Sequence, residues 1–207
     1  LEPDLGTGII IVATALIMYF LSGAPTRHFA ILVPIVLLGI TLLAVSSPYR
    51  FKRLTTYLNP ESDPLGASYQ IRQVLLSLGS GGLTGIGIGK SRQKYEYLPE
   101  ANTDSIFAII GEETGYMGAL LVIGAFAGLV WRGFRVAARA PDAFGKLLAG
   151  GITSWIGVQS FLNIGANVAL IPLTGIPLPF ISYGGSSFVI LLAATGIMMN
   201  VSRSSNV

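Results

Sequence analysis

The sequence predicts an all-α polytopic membrane protein, with about five transmembrane helices and a large extracellular loop carrying short amphipathic helices. Three observations predict it. Of the 207 residues, 52% are hydrophobic and only 11% are charged, whereas a soluble domain carries roughly 25% charge. Apolar runs long enough to cross a bilayer alternate with polar links. The cations sit in short groups between those runs, as membrane-flanking charge does, so the net charge of +3 does not point to nucleic acid. The absence of cysteine excludes a disulfide scaffold and a thiolate metal site. Opening at Leu1, with neither an initiator Met nor a signal-peptide pattern, the chain is expected to be a piece of something longer.

Leu5 to Leu21 is the first apolar run, of about 17 residues, the lower limit for a span. Ser22-Gly23-Ala24-Pro25 stops it, and Glu2 and Asp4 suit a helix start, where carboxylates complement the dipole. Phe29 to Val45 is the second span, with Pro34 expected to kink it. His28, the only histidine, reads as a flanking residue.

Residues 46–104 hold no span. Phe51, Leu54 and Leu58 recur at helical spacing among Arg50, Lys52 and Arg53, the pattern of a helix at headgroup level. Ile71, Val74, Leu75 and Leu78 form one face opposite Gln70, Arg72, Gln73 and Ser77, predicting a second short helix, and both helices are expected to rest on the bilayer surface. Between them Asp63 precedes Pro64, with Gly66 two residues further on, which fits a type I turn that holds the carboxylate on a stiff elbow. Taken alone, such an aspartate is more often a turn or cap residue than a catalyst.

Six glycines (Gly79, Gly81, Gly82, Gly85, Gly87, Gly89) then precede Lys90. Gly89-Lys90-Ser91 is not the end of a phosphate loop, because Thr84 stands where the first glycine is required and no strand leads in. The glycines are expected to let the backbone approach a membrane surface or a ligand.

Ser105 to Trp131 is a third span of about 27 residues, tilted or projecting beyond the hydrocarbon. Glu112 and Glu113 fall in its first turns, where function and structural pairing are equally open. Arg132, Arg135, Arg139 and Lys146 crowd the next link. On the fourth span, Leu147 to Ile171, the residues Gln159, Asn163 and Asn167 draw an amide stripe, more often used for interhelical bonding than for substrate. Pro172, Gly175, Pro177 and Pro179 stiffen a re-entrant or surface link, Ser182 and Tyr183 open a Gly-Gly-Ser-Ser segment, and Ser187 to Val201 is the fifth span. With five spans, Arg27, the four cations from Arg132 to Lys146, and Arg203 share one side, which the positive-inside rule makes cytoplasmic and which puts residues 46–104 outside.

Five ordered motifs then carry a resemblance: Pro3-Asp4-Leu5-Gly6-Thr7; Asn59-Pro60 with Asp63-Pro64 and Tyr69-Gln70; Leu98-Pro99-Glu100 with Thr103-Asp104; Gly111-Glu112-Glu113; and Pro172-Leu173-Thr174-Gly175 through Pro179 to Ser187. Over essentially its whole length the chain resembles the C-terminal half of the SEDS family (shape, elongation, division and sporulation), polytopic bacterial proteins that include FtsW and RodA. Gln93-Lys94 with Tyr97-Leu98-Pro99-Glu100 is more similar to the division branch. Ser68 and Ser105 depart from the family's usual glycine and phenylalanine. On this resemblance residues 1–207 form part of a single membrane domain in the bacterial cytoplasmic membrane.

The resemblance implies peptidoglycan glycosyltransfer, the polymerisation of lipid II with release of undecaprenyl pyrophosphate, and Asp63 matches the essential acid of the large extracellular loop. That role has a physical rationale: a sugar hydroxyl attacking an anomeric carbon needs a carboxylate within hydrogen-bond reach to take its proton. The leaving pyrophosphate needs cations, for which Lys52, Arg53, Arg72, Lys90, Arg92 and Lys94 are the supply on that side. Glu100 and Asp104 are secondary candidates for positioning or metal contact. Glu112, Glu113, Gln159, Asn163, Ser182 and Tyr183 are expected to support the cavity. The resemblance also implies a divalent cation (Mg or Mn), a class B penicillin-binding protein as transpeptidase partner and other division proteins, although no metal-ligand spacing supports the cation. A lipid II flippase and a non-catalytic scaffold are the rival readings.

Overall fold

The structure, a computed structural model, describes residues 5–59, 67–91, 93 and 102–204. Those residues form seven helices of four residues or more and no strand. In chain order they are α1 (Leu5–Leu21), α2 (Thr26–Val45), α3 (Pro48–Leu58), α4 (Ala67–Ser80), α5 (Ile106–Arg139), α6 (Ala143–Asn167) and α7 (Gly185–Ser204). Four of them, α2, α5, α6 and α7, are long and apolar enough to cross a membrane, and α1 is a shorter apolar helix of 17 residues. All five expected spans are therefore helices, and the two short amphipathic helices are α3 and α4.

Local chemistry explains the ends. Pro48 at the first position of α3 supplies a preset φ and gives up an N–H that would have no partner there. Asp142 caps α6, its Oδ2 accepting from Gly145 N at 2.9 Å. The end of α6 closes in a Schellman arrangement, with Leu170 N donating to Gly165 O (2.8 Å) and Ala169 N to Ala166 O (3.1 Å). Ala169 occupies the left-handed position at φ 55, where glycine is usual.

The chain divides into two compact units. One comprises Leu1–Leu42, Ala125–Gln159 and Gly184–Val207. Small residues let its helices approach closely, as is common in membrane proteins: a Cβ on Gly150 would collide with Leu21, one on Gly151 would stand 2.8 Å from Met18 Sδ, and one on Gly157 would stand 3.1 Å from Val130 Cγ2. Val136, Ala137 and Ala149 form its buried cluster, covered by Met198 and Val201. At the α1–α2 turn, Tyr19 Oη is 2.6 Å from His28 Nδ1, so the flanking histidine ties the hairpin.

The other unit comprises Leu43–Gly124 and Ser160–Tyr183. Its core is Val74 of α4 against Ala108 and Ile109 of α5, with Leu78 and Ile106 beside them. Here two expectations need correction. The inner face of α4 is Val74, Ser77 and Leu78, packed on α5, while Leu75 and Leu76 are exposed. Ser77, assigned to the polar face by its type, is buried because its hydroxyl meets the Ala108 carbonyl and a carboxylate of α5.

The glycine-rich segment likewise closes on protein rather than on a ligand. A Cβ on Gly81 would overlap the Gly111 carbonyl oxygen, and one on Gly85 would overlap that of Glu113. The long α5 is not continuous: Gly115 has φ 71 and ψ −169, and the glycine-rich segment bonds to the backbone on both sides of that break. Tyr116 N donates to Gly82 O (2.9 Å) and Met117 N to Leu83 O (3.3 Å), while Ile86 N and Gly87 N donate to Glu112 O and Glu113 O, both at 3.0 Å. A helix interrupted near a membrane needs its freed backbone groups satisfied from elsewhere, and this segment supplies the partners.

Candidate functional site

The second unit gathers most of the singled-out residues that the structure describes. Asp63, Arg92, Lys94 and Glu100 lie outside the described residues, as does the whole 60–66 turn. What the structure describes is the elements that flank them along the chain.

On α3, Arg53 and Tyr57 stand one turn apart and both reach the 169–173 loop. Arg53 Nη1 donates to Leu173 O at 3.2 Å, and Tyr57 Oη donates to Leu170 O at 2.9 Å and Ala169 O at 3.2 Å. Part of the Arg53 guanidinium therefore binds a protein carbonyl. Lys52 beside it is exposed, as are Arg72 on α4 and Lys90 after the glycines. α3 packs against α4, which puts Lys52, Arg53 and Arg72 on adjoining helices.

Asp104 sits at the entry to α5, and its carbonyl oxygen accepts from both Asn163 Nδ2 and Asn167 Nδ2 at 2.8 Å. Asn163 Nδ2 also reaches Ile176 O at 2.7 Å. Two members of the amide stripe thus fasten two loops to α6, using both for bonding within the protein; Gln159 is buried in the other unit. The Asp104 carboxylate is half-buried, with Thr103 Oγ1 3.4 Å from Oδ1. Ser182 completes the junction: its hydroxyl accepts from Leu178 N (2.7 Å) and donates to Thr103 O. Tyr183 contributes its backbone N to Asn102 O (2.9 Å), while its side chain is 81% exposed.

Glu112 is only 2% exposed. Its Oε2 accepts from Ser91 Oγ at 2.6 Å and Ser77 Oγ at 3.2 Å, so one buried carboxyl holds α4, α5 and the end of the glycine-rich segment together. Burial raises the cost of breaking such bonds, because the freed polar group would go unmet. Glu113 is half-buried, and its Oε1 has no hydrogen-bond partner among the described residues. Sequence reasoning missed Tyr57, Ser77 and Ser91. Tyr57 is detectable as the i+4 neighbour of Arg53, and Ser77 as a small polar residue between Val74 and Leu78; nothing local marks Ser91.

Among the described residues no three His, Asp, Glu or Cys side chains cluster as a metal site.

The family model FtsW/RodA/SpoVE, described as cell cycle proteins, matches residues 1–207. The chain belongs to this family. The FtsW/RodA/SpoVE relatives include stage V sporulation protein E of Bacillus subtilis, 52% identical over 98% of this chain and 55% of that protein. A probable peptidoglycan glycosyltransferase FtsW of Thioalkalivibrio sulfidiphilus is 41% identical over 98% of this chain and 52% of its own. Among solved structures, a chain of a peptidoglycan synthase complex that coordinates polymerization and crosslinking superposes with a TM-score of 0.76 at 29% identity, covering 99% of this chain and 57% of that one. The rod shape determining protein RodA of Thermus thermophilus superposes at 0.63 with 28% identity, over 99% of this chain and 51% of its own. The chain therefore has the multi-pass membrane fold of the FtsW/RodA/SpoVE family and spans about half the length of the relatives it matches.

Proposed function

We propose that this chain is the part of a peptidoglycan glycosyltransferase that carries the polymerising carboxylate. The observation that supports it is the family match over all 207 residues, together with relatives named probable peptidoglycan glycosyltransferases at 41–44% identity. In this reading Asp63 is the general base. It accepts the proton of the attacking sugar hydroxyl while that oxygen bonds to the anomeric carbon of a second lipid II, and the bond from that carbon to pyrophosphate breaks. Undecaprenyl pyrophosphate leaves with the electron pair. Lys52, Arg72 and Lys90, all exposed, and Arg92 and Lys94 are the cations proposed to meet that charge, with Arg53 partly committed to Leu173.

The frame supports this assignment in a specific way. A base acts only if it is held to within a fraction of an ångström, and the elements that flank residues 60–66 are themselves fastened: α3 to the 169–173 loop, α4 to α5. The loop side is proposed to be extracytoplasmic, in the bacterial cytoplasmic membrane, where lipid-linked precursors are exported. The likeness to a chain of a polymerization and crosslinking complex supports a class B penicillin-binding protein as partner, and the FtsW and SpoVE relatives support a role in division or sporulation.

Purified intact protein, alone and with its partner, is to be given lipid II. The proposal expects glycan chains from the parent, none from Asp63→Asn, and unchanged partner binding by the variant. Polymer at the parental rate from Asp63→Asn removes the base assignment. Transbilayer movement of lipid II without polymer favours a flippase, and neither activity favours a scaffold.

A further inference from the structure

The glycine-rich segment that fills the break in α5 leaves two large apolar side chains with no cover. Leu83 is 73% exposed and Ile88 is 85% exposed. Ile88 stands at the tip of a tight turn closed by Lys90 N on Gly87 O (3.1 Å), and Lys90 itself is exposed. Burying apolar side chains is favourable, so two of them held out together on a short turn favour an apolar environment.

The position of the turn identifies that environment. Beyond Gly115, the uncharged part of α5 runs from Tyr116 to Trp131 before Arg132, and these residues extend about 24 Å. That length takes up most of the roughly 30 Å of bilayer hydrocarbon. The break therefore lies near the edge of the hydrocarbon, with Glu112 and Glu113 on the far side of it from Trp131. Immediately past it, Tyr116 and Met117 are 59% and 67% exposed, and Leu120 and Leu121 continue the same uncovered apolar helix. Leu83 is pinned to this level because its carbonyl accepts from Met117 N. At the other end Ser91 is anchored on the buried Glu112.

We infer that residues 82–90 are an interfacial anchor seated in the bilayer leaflet on the loop's side. Leu83 and Ile88 enter the acyl-chain edge, and Lys90 meets the headgroup phosphates. The surface is continuous with the lipid-facing side of α5, and its cation complements the headgroup charge, so the occupant is lipid. This holds whatever reaction the protein performs.

The chain has no cysteine, so single-cysteine spin labels report one site each. Leu83→Cys and Ile88→Cys are to be labelled in the intact protein in lipid nanodiscs, with Leu121→Cys as the lipid reference and Arg139→Cys as the aqueous one. The ratio of collision with oxygen to collision with a water-soluble nickel chelate is expected to approach that of Leu121→Cys and to exceed that of Arg139→Cys several-fold. Free collision with nickel at either site overturns the inference. So does shielding from both reagents, which would show that protein covers the turn.

Discussion

The glycine-rich segment lies close against α5, and this yields a quantitative comparison within one helix end. Gly79 and Gly81 are two residues apart. A Cβ on Gly79 meets nothing within 4 Å, whereas one on Gly81 would overlap the Gly111 carbonyl oxygen and stand 3.0 Å from Glu112 Cα. Gly79→Ala lies in the last turn of α4 and removes the entropic cost of helical glycine, so it is expected to stabilise by about 0.5–1 kcal/mol. Gly81→Ala must push two backbones apart, and overpacking of that kind costs about 1–3 kcal/mol. The two variants should therefore differ by about 1.5–4 kcal/mol in unfolding free energy. Gly85→Ala should be worse than Gly81→Ala, because Gly85 also has φ +79 and its Cβ would overlap the Glu113 carbonyl. Reversible denaturation of the three variants in one detergent, followed by tryptophan fluorescence, checks the order. If Gly81→Ala is as stable as Gly79→Ala, the segment does not lie against α5 as described.

Other outcomes follow from single contacts. Asn163→Leu and Asn167→Leu each remove one donor from the Asp104 carbonyl, so each is expected to cost about 0.6–1.7 kcal/mol. The double variant leaves that carbonyl without either amide and should cost more than the sum, as read in a double-mutant cycle by the same denaturation. Ala169→Gly relieves a left-handed alanine at the end of α6 and should stabilise by about 1 kcal/mol; a loss of stability would contradict the Schellman geometry. Tyr57→Phe frees the Leu170 carbonyl and should cost about 0.5–1.5 kcal/mol, with faster hydrogen exchange in the 169–173 loop by mass spectrometry. Ser91→Ala should loosen residues 82–91 in the same measurement while leaving α7 unchanged.

Composition and segment length alone decided that this is a multi-pass helical membrane protein. Residues that avoid water declare themselves by type, and the span of a bilayer sets how many must be consecutive. The first apolar run and its end at Leu21 were legible for that reason, and α3 and α4 were legible from apolar spacing. The ordered motifs carried the family, and with it the interest in Asp63.

The contacts that shape the unit were not legible, because each joins residues far apart in sequence. Ser77 and Glu112 are 35 positions apart, Asn163 and Asp104 are 59, and Arg53 and Leu173 are 120. Periodicity says which face of a helix is drier, but it cannot say that a serine on that face answers a carboxyl, or that a stripe of amides holds loops instead of substrate. The glycines were visible as freedom of backbone, yet what their segment approaches is another backbone, broken at Gly115 and hydrogen-bonded by that segment. Hydrogen-bond pairing across such distances belongs to the folded chain, since only folding brings a buried donor to the acceptor that would otherwise go unmet.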